Sequence, residues 1–472
     1  YQSWHLAIKN DGFLREVIAG DYSAAFGQGL ILWNGSSFGK SRNVDTAPVR
    51  SSRGFRPYTS SQETDAFRGG ALTVGNKATI HAFYSSRFRT STTDDSLNIR
   101  LPQRSGLHRT LNELARRNNV KQTTYGGRIQ YNGKRGGIGL NTVFNSFDKP
   151  VAAGNRLHQE FDFSGTTQIS FSSDYEYVYG SLLFFGEGAK TDNGGMGFLN
   201  GMRYKPSSGT SAVLTYRNYG KKFQPLFGAA FGEQSGIPQN EKGFYFGIRQ
   251  RVHSKVMISG YFDQFKFPGP RFVTMNPSTG YEWLLNSEVK LAKGVQFYIL
   301  ARSSIREAQF ETTDVAGRTI KITGLQKRSG YRLNMSYSPD RSIRLQSRFE
   351  LIQSSTAEGR RENGYLLFQD IRLNPSPKIR IDARITLFDT ESFQSRVFQF
   401  ESDLLYVFSN KVLFDRGQRM YIVVKYDFAN KIEIWGKWAT TLFEDRNTIS
   451  SGLNQINGNR QTDIGIQARI RF

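Results

Sequence analysis

Side chains that commonly carry out enzyme chemistry are few and widely spaced in this sequence. It contains no cysteine, which excludes thiol nucleophiles, disulfides and cysteine-bearing zinc sites. Its five histidines are scattered, and none has a second histidine at metal-ligand spacing; they are His5, His81, His108, His158 and His253. Neither the H-E-x-x-H pattern of zinc proteases nor the G-x-S-x-G pattern of serine hydrolases occurs. The sequence therefore predicts a protein that is not an enzyme and that uses no metal and no cofactor.

Charged residues are abundant in the sequence, and basic residues outnumber acidic ones. The 472 residues include 63 Lys and Arg against 40 Asp and Glu, which gives a formal net charge of +23 at pH 7. This balance favours anionic partners. Aromatic residues near basic segments meet the minimal requirement for nucleic acid binding, but no recognised DNA-binding module is present, so that partner stays open.

A period of two residues runs along the chain and must position these charges. Met420, Ile422 and Val424 alternate with Arg419 and Tyr421, and the same alternation recurs in segments 379–387 and 464–472. Successive side chains of a β-strand point to opposite faces, so each such segment has one apolar and one charged face. No run of 18 or more apolar residues occurs, which excludes a membrane-spanning helix.

The connectors between these segments alternate in length. Short ones such as 76–77 and 338–340 alternate with long ones, and a soluble β-sandwich has no reason for that regularity. Transmembrane β-barrels have short periplasmic turns and long extracellular loops. The predicted fold class is therefore all-β, a large antiparallel transmembrane β-barrel that occupies residues 1–472 as a single domain in the bacterial outer membrane.

Six segments are predicted to be outer loops or excursions, namely 31–64, 91–121, 220–240, 311–327, 389–416 and 447–460. Basic residues in outer loops are expected to bind lipopolysaccharide phosphates. Thr110 and Glu113 have capping-box spacing, which predicts a short helix inside one loop. Segment 389–416 alternates like a strand, and we interpret it as a hairpin arm standing above the membrane.

Twenty-one strands are placed by this pattern, at 1–9, 13–24, 65–75, 78–90, 123–132, 136–147, 158–171, 177–187, 193–204, 211–219, 242–252, 255–266, 280–291, 295–310, 328–337, 342–355, 363–373, 378–388, 417–428, 431–446 and 461–472. Bacterial barrels have even strand numbers. The odd count leads us to expect about 22 or more strands, with at least one N-terminal strand lacking ahead of Tyr1. A barrel of that size needs a plug, inward-folded loops or a bound partner to fill its lumen.

Strand parity directs an excess of arginine toward the lumen. The candidates are Arg128, Arg249, Arg251, Arg302, Arg332, Arg344, Arg348, Arg380, Arg384, Arg469 and Arg471. Interspersed acids make cross-strand pairs plausible as structural ladders. The surplus of arginine would leave a positive field that favours anionic solutes or an acidic partner.

Several motifs resemble a family. The C-terminal Phe472, with apolar residues at alternating positions before it, looks like the signal read by the barrel-assembly machinery. The motifs Gly20-Asp21-Tyr22, Phe26-Gly27-Gln28-Gly29-Leu30 and Phe38-Gly39-Lys40-Ser41 resemble the opening of the β-barrel region in Bacteroidota outer-membrane proteins that carry a helix-hairpin-helix segment. Glu401, Asp403 and Gly458-Asn459-Arg460 are similar to later blocks of that family. The resemblance implies fold and location, and no activity.

Glycines in Gly27-Gln28-Gly29 also have a physical interpretation. They permit positive φ or close backbone approach where a strand ends. A phosphate cradle would need a following helix, whereas Leu30-Ile31-Leu32-Trp33 has the character of a strand or loop.

Two functional hypotheses follow. The first is a porin-like or plugged channel whose arginine-rich lumen favours anionic or polar material. The second is a structural subunit of a larger outer-membrane complex, for DNA uptake or for protein export or assembly, with no conductance of its own. Outer-membrane partner subunits are expected under the second hypothesis.

Overall fold

The computed structural model of the chain describes residues 2–35, 37, 39–62, 65–94, 98–102, 108–234, 238–356, 358–429 and 431–471. Strands dominate these residues, and 22 of them belong to one antiparallel sheet. The predicted all-β class and the antiparallel pairing are confirmed. Two further pairs, β20 with β21 and β24 with β25, form separate two-stranded sheets.

The strands, numbered in chain order, are β1 His5–Lys9, β2 Leu14–Ala25, β3 Gly54–Pro57, β4 Phe67–Gly75, β5 Ala78–Arg89, β6 Val120–Gly133, β7 Gly136–Val151, β8 Gly165–Tyr179, β9 Leu182–Thr191, β10 Met196–Tyr204, β11 Thr210–Tyr219, β12 Glu241–His253, β13 Val256–Phe267, β14 Ser278–Ala292, β15 Val295–Thr313, β16 Thr319–Tyr337, β17 Ile343–Ser355, β18 Arg361–Ser376, β19 Ile379–Thr390, β20 Val397–Glu401, β21 Ser409–Leu413, β22 Arg416–Ala429, β23 Ile432–Phe443, β24 Thr448–Ile449, β25 Ile456–Asn457 and β26 Arg460–Ile470.

Helical structure is short. The α-helix α1 spans Leu111–Ala115, and 3-10 turns cover Leu157–Gln159, Phe393–Ser395 and Gly452–Asn454. Thr110 caps α1 by accepting a hydrogen bond from the Glu113 backbone N–H, and the Glu113 side chain returns to the cap, so the predicted capping box is confirmed. Among the described helices, none combines the length and the apolar character needed to cross a membrane.

All 21 predicted strands have a counterpart in the sheet. The twenty-second strand is β3, a four-residue strand that pairs with the end of β2 inside the predicted loop 31–64. Segment 311–327 is not a long loop, because β15 and β16 pair without interruption from Thr313 and Thr319 inward. Only five residues, 314–318, connect these two strands.

The boundary between β8 and β9 also differs from the prediction. The strands turn at Gly180, whereas the prediction placed the turn near residue 174. Gly180 has φ +58°, a left-handed conformation that glycine adopts without steric cost. Asp174 is instead buried within the extended strand β8, where it has an arginine partner.

The single predicted domain divides into two compact units. The first comprises Tyr1–Arg249 and Tyr261–Tyr281, and the second comprises Gln250–Gly260 and Glu282–Phe472. In the first unit, strands β4 to β11 follow one another as paired antiparallel neighbours beside β1 and β2. In the second unit, β15 to β19, β22, β23 and β26 do the same.

Candidate functional site

Each long strand has one apolar and one polar side. On β12, Phe244, Phe246 and Ile248 are exposed, whereas Glu241 and Tyr245, at positions of the other parity, are buried. We call the side of Phe244 the apolar face and the side of Glu241 the polar face. An exposed apolar face is what a lipid-facing strand surface requires.

Eight predicted lumen arginines lie in the second unit and contact residues of the polar face. Their carboxylate contacts are Arg302 to Glu282 at 2.9 Å, Arg332 to Glu350 at 2.8 Å, Arg344 to Asp370 at 3.5 Å, Arg380 to Asp382 at 2.7 Å, Arg384 to Asp370 at 2.9 Å, Arg471 to Glu433 at 3.0 Å, and Arg469 to Glu433. Arg348 differs, because its guanidinium contacts the Asn334 amide oxygen at 3.3 Å and the Tyr298 hydroxyl at 3.4 Å.

Several of these carboxylates serve more than one cation. Asp382 accepts from both Arg372 at 2.5 Å and Arg380 at 2.7 Å. Glu433 contacts Arg469 and Arg471, and Lys425 lies 2.7 Å from its other oxygen. Lys425 also lies 3.1 Å from Asp427, so these five cations share three carboxylates among the described residues, and positive charge is in excess here.

The remaining predicted candidates have different surroundings. Arg128, in the first unit, is 4% exposed and donates to Asp174 at 2.9 Å and to the Asn141 amide oxygen at 2.8 Å. Arg249 and Arg251 have no ion-pair partner in the described part of the chain. Phe472, the proposed assembly signal, lies outside the described residues.

The chain that follows β2 does not project from the sheet of the first unit but packs into that unit. Leu30, Ile31, Leu32 and Trp33 are all at most 4% exposed, and Val44 is fully buried. Residues 31–33 and Val44 of the predicted outer loop 31–64 therefore pack into the unit, whereas β3 of the same segment pairs with β2 in the sheet. Burial of its apolar side chains against the sheet stabilises this arrangement.

The glycines of Gly27-Gln28-Gly29 allow this segment to bind a carboxylate. Gly27 and Gly29 have φ of +59° and +83°, which confirms that they adopt positive φ. The backbone N–H groups of Gln28 and Leu30 both donate to Glu187 Oε2, at 2.7 and 3.0 Å. Backbone N–H groups that converge on one oxygen in this way form a nest for an acidic group, and here that group is the chain's own Glu187.

A buried network of ion pairs holds Lys40, which lies further along the same segment, against the sheet of the first unit. Arg217 is fully buried and donates to Asp263 through two N–H groups, at 2.8 and 3.0 Å, and to Glu241 at 2.5 Å. Lys40 Nζ lies 2.7 Å from Asp263 Oδ2 and also contacts Glu233. Each of these two cations contacts two of the three carboxylates, so every buried charge of the network has a partner of opposite sign, as its desolvation requires.

A second inward-folded segment, residues 221–234, contacts the first. The Trp33 backbone N–H donates to the Phe227 carbonyl at 2.8 Å, and the Ala229 backbone N–H donates to the Gly29 carbonyl at 2.9 Å. Phe231 is buried, and its carbonyl accepts from the Tyr219 hydroxyl at 2.6 Å. We call residues 26–50 and 221–234 together the inner segments. Most of the predicted outer loop 220–240 thus belongs to the interior of the first unit.

Arg50 links the two ends of the first inner segment. Its backbone is held by two hydrogen bonds with the Gln28 side chain, at 2.9 and 3.0 Å, and its guanidinium lies 4.7 Å from the Trp33 ring centroid. Burial lowers the pKa of Arg50 to about 10, and the group remains cationic at neutral pH. The stacked arrangement therefore holds a charged side chain beneath the surface of the first unit.

In the second unit, the excursion between β19 and β22 lies on the polar face. We call residues 397–413, which comprise β20 and β21, the inner hairpin. Glu401 is fully buried and accepts from Arg419 at 2.7 and 2.9 Å, and the Phe400 carbonyl accepts from Arg384 at 2.8 Å. Gln399 accepts from the Thr386 hydroxyl at 2.9 Å. The predicted arm standing above the membrane is thus replaced by a hairpin bound to the sheet, because its acids match the sheet's cations.

The buried ion pairs include residues that sequence reasoning did not select. Strand parity could have selected Arg217, because it shares a side of β11 with Val213 and Thr215. These three residues are buried, whereas Leu214 on the other side is exposed. Lys40 lay in a motif of the family resemblance without an assigned role. Its partner Asp263 is distant in sequence, and no local pattern connects the two.

The described residues contain no group of three or more histidine, aspartate or glutamate side chains arranged to hold a metal ion. One cavity of about 500 Å³ lies in the first unit, lined by Arg100, Asp162 and Phe163 among others. Burial raises the pKa of Asp162, which lies outside the sheet.

Comparison with protein-family models finds no match, and comparison with curated proteins finds no significant relative. Solved structures are similar. A mutant of the ferric enterobactin receptor PfeA from Pseudomonas aeruginosa is 8% identical with a TM-score of 0.51, over 98% of this chain and 76% of that chain. A second PfeA mutant, in complex with enterobactin, is 9% identical with a TM-score of 0.50, over 98% and 78%.

A siderophore receptor, PirA from Acinetobacter baumannii, is 10% identical with a TM-score of 0.49, over 85% of this chain and 70% of that chain. Identities this low bear on the fold alone. Together with the 22-stranded antiparallel sheet, the likeness to PfeA shows that the protein has the fold of a large antiparallel β-barrel.

Proposed function

We propose that the protein is a bacterial outer-membrane β-barrel that conducts polar, preferentially anionic material along the polar face of its second unit. The observation that carries the proposal is the sharing of carboxylates. Asp382 and Glu433 together contact five cations. A surface with surplus positive charge raises the local concentration of anions and lowers the barrier to their passage.

Exposure of the cations supports the same proposal. The side chains of Arg380 and Arg471 are 43% and 57% exposed, although each contacts a carboxylate. They can therefore meet a passing solute without breaking the fold. Arg384, in contrast, is 8% exposed and lies beneath the inner hairpin, so we assign it a structural role.

Conductance in planar bilayers tests the proposal. The full chain should give a salt-dependent conductance, and its reversal potential in a salt gradient should indicate anion preference. Arg380→Gln should shift the reversal potential toward cation permeation, because Asp382 then faces only Arg372. Lys378→Gln is the matched control, since Lys378 is exposed in the turn that precedes β19.

Two results would contradict the proposal. One is an unchanged reversal potential in Arg380→Gln, which would mean that Arg380 on the polar face does not determine ion selectivity. The other is the absence of conductance in all salts together with co-purification of partner chains. That second result would favour the alternative function below.

A structural subunit of a larger outer-membrane complex is the second candidate. The observation in its favour is the inner segments of the first unit, whose apolar residues and ion pairs are buried. Such packing fits a unit that carries no solute. Lipopolysaccharide, the barrel-assembly machinery and outer-membrane partner chains are the proposed contacts under either function, and nucleic acid is a proposed cargo only under this one.

We propose membership of the Bacteroidota helix-hairpin-helix outer-membrane family on the motif residues alone. Three of them have defined roles here: Asp21 is buried and accepts two hydrogen bonds from Arg68, and the positive φ of Gly27 and Gly29 shapes the turn from which the N–H groups of Gln28 and Leu30 donate to Glu187. The genomic sequence upstream of Tyr1 tests the proposal, because a helix-hairpin-helix segment there is required by it.

A further inference from the structure

Four short turns of the first unit lie at the same edge of its sheet. They join β4 to β5, β6 to β7, β8 to β9 and β10 to β11, and their residues are 76–77, 134–135, 180–181 and 205–209. Each strand from β4 to β11 pairs antiparallel with the next, so alternate connectors lie at the same edge. The connectors between these turns, such as 152–164, lie at the opposite edge.

The four turns contain four cations and no acidic residue. The cations are Lys77, Lys134, Arg135 and Lys205, and we call them the basic edge. All four are exposed, and none has an ion-pair partner among the described residues. Strands of a sheet lie about 4.8 Å apart, which places adjacent turns about 10 Å apart, close to the Debye length in physiological salt. The cations of neighbouring turns therefore act on the same bound group.

The single sign of the charge is a property of this edge. At the opposite edge, connector 152–164 mixes Arg156 with Glu160 and Asp162. Glu176, the acid that precedes the turn of β8 and β9, has the parity of the buried Asp174 and so belongs to the polar face. The net charge of the whole chain does not by itself explain four successive turns without an acid.

Exposed tyrosines border the basic edge. Tyr131, Tyr177, Tyr179 and Tyr204 each lie within three residues of one of the turns, and they are 44% to 62% exposed. Tyr131 shares a side of β6 with the exposed Ile129, which is the apolar face. Tyrosine is enriched where the apolar part of a membrane meets water, because its ring is apolar and its hydroxyl is polar. The turns beyond these tyrosines are therefore at the level of lipid headgroups.

This arrangement determines which kind of partner fits. The cations lie at the end of an exposed apolar face, so the partner must present apolar and anionic groups together. An acidic soluble protein would match the charge but would leave the apolar face in water. An anionic lipid matches both, with its acyl chains along the apolar face and its phosphate at the turns.

We propose that the basic edge binds the phosphate groups of anionic phospholipids. The inference rests on the proposed function in one respect, namely that the chain lies in an outer membrane. Short turns of such barrels face the periplasm, and the leaflet on that side consists of phospholipid, whereas lipopolysaccharide occupies the other leaflet. The lysines supply point charges, and the Arg135 guanidinium can donate two hydrogen bonds to one phosphate.

Native mass spectrometry of the purified full chain tests the site by titration with phosphatidylglycerol and with phosphatidylcholine of the same acyl chains. The parent should bind phosphatidylglycerol at least twenty-five times more tightly. Each cation near an anionic headgroup contributes about fivefold in affinity, so Lys134→Gln/Arg135→Gln should weaken phosphatidylglycerol binding about twenty-five-fold. Binding of phosphatidylcholine should not change, which shows that the variant is folded.

Lys221→Gln/Lys222→Gln is the matched control. It removes two adjacent, exposed cations of the same unit at the opposite edge, and phosphatidylglycerol affinity should equal that of the parent. Lys77→Gln/Lys205→Gln, a second variant of the basic edge, should weaken binding as Lys134→Gln/Arg135→Gln does.

The outcomes separate this inference from the channel proposal. Equal affinity for the two lipids overturns the site, and so does an equal loss in the control. Lipid A that binds more tightly than phosphatidylglycerol, and is weakened by Lys134→Gln/Arg135→Gln, overturns the assignment to phospholipid. Anion-selective conductance without lipid preference overturns the site alone. Lipid preference that the variants abolish, in a protein that conducts nothing, supports the site and contradicts the channel.

Discussion

The contact between Glu401 and Arg419 should hold the inner hairpin on the sheet. Glu401 is fully buried and Arg419 is 3% exposed, and two hydrogen bonds of 2.7 and 2.9 Å join them. Glu401→Gln removes the negative charge and one acceptor, while Arg419 keeps its hydrogen bond to Thr441 at 2.7 Å. Charge-assisted hydrogen bonds contribute about 1.5–3 kcal/mol, so we expect the hairpin to be held about 2 kcal/mol less firmly.

The absence of cysteine from the chain makes this release measurable. Ser409 lies opposite Glu401 in the hairpin register and is 6% exposed, so Ser409→Cys places a nearly isosteric thiol beneath the hairpin. A maleimide reagent should modify that thiol only when the hairpin opens. A change of about 2 kcal/mol in the opening equilibrium should raise the modification rate about thirtyfold in the Glu401→Gln background.

Asn410→Cys provides the control, because Asn410 is exposed on the other side of the same strand. Its thiol should react rapidly and at the same rate in both backgrounds. If Ser409→Cys reacts equally slowly with and without Glu401→Gln, the ion pair does not hold the hairpin. If it reacts as fast as Asn410→Cys in the parent background, the hairpin does not rest on the sheet.

Three further perturbations test the other contacts. Asp263→Asn should lower the stability of the first unit by about 3 kcal/mol, seen as an earlier thermal transition, because Arg217 stays buried with one carboxylate fewer; an unchanged transition would contradict the network. Gly27→Ala should destabilise by about 2 kcal/mol in the same assay, since φ is +59° and the new Cβ would lie 2.7 Å from Glu187 Oε2; Gly188→Ala, where nothing lies within 4 Å of the added Cβ, is the control. Hydrogen bonds from the Arg318 backbone and side chain lower the pKa of Asp314, so the stabilisation of the β15–β16 turn should be present at neutral pH and lost as pH falls through that pKa; carboxyl carbon NMR shifts should titrate below the ordinary aspartate value, and a midpoint at that value would contradict the contact.

The strands were predictable because their pattern is local. Alternation on β22 places Met420 and Ile422 on one side and Arg419 and Tyr421 on the other, and the structure buries the second pair. Successive side chains of a strand point to opposite faces, so the alternation within one strand is enough to predict which residues share a side. The capping box before α1 was equally local, with Thr110 and Glu113 three residues apart.

The inner segments and the inner hairpin were not predictable from such patterns. Whether a long connector folds inward depends on partners far along the chain, such as Lys40 with Asp263 or Gln28 with Glu187. The spacing of Gly27 and Gly29 indicated backbone freedom, but it did not identify the carboxylate that their neighbours bind. Loop length alone therefore overestimates how much chain extends beyond the sheet.

Charge balance explains which connectors fold onto the polar face. In the first unit, Lys40 from an inner segment reaches Asp263, and the carboxylate of Glu187 meets backbone N–H groups of the same segment. In the second unit the connector supplies the acids, since Glu401 reaches Arg419 and Asp403 contacts Lys437. Each connector thus carries the charge that its part of the polar face lacks.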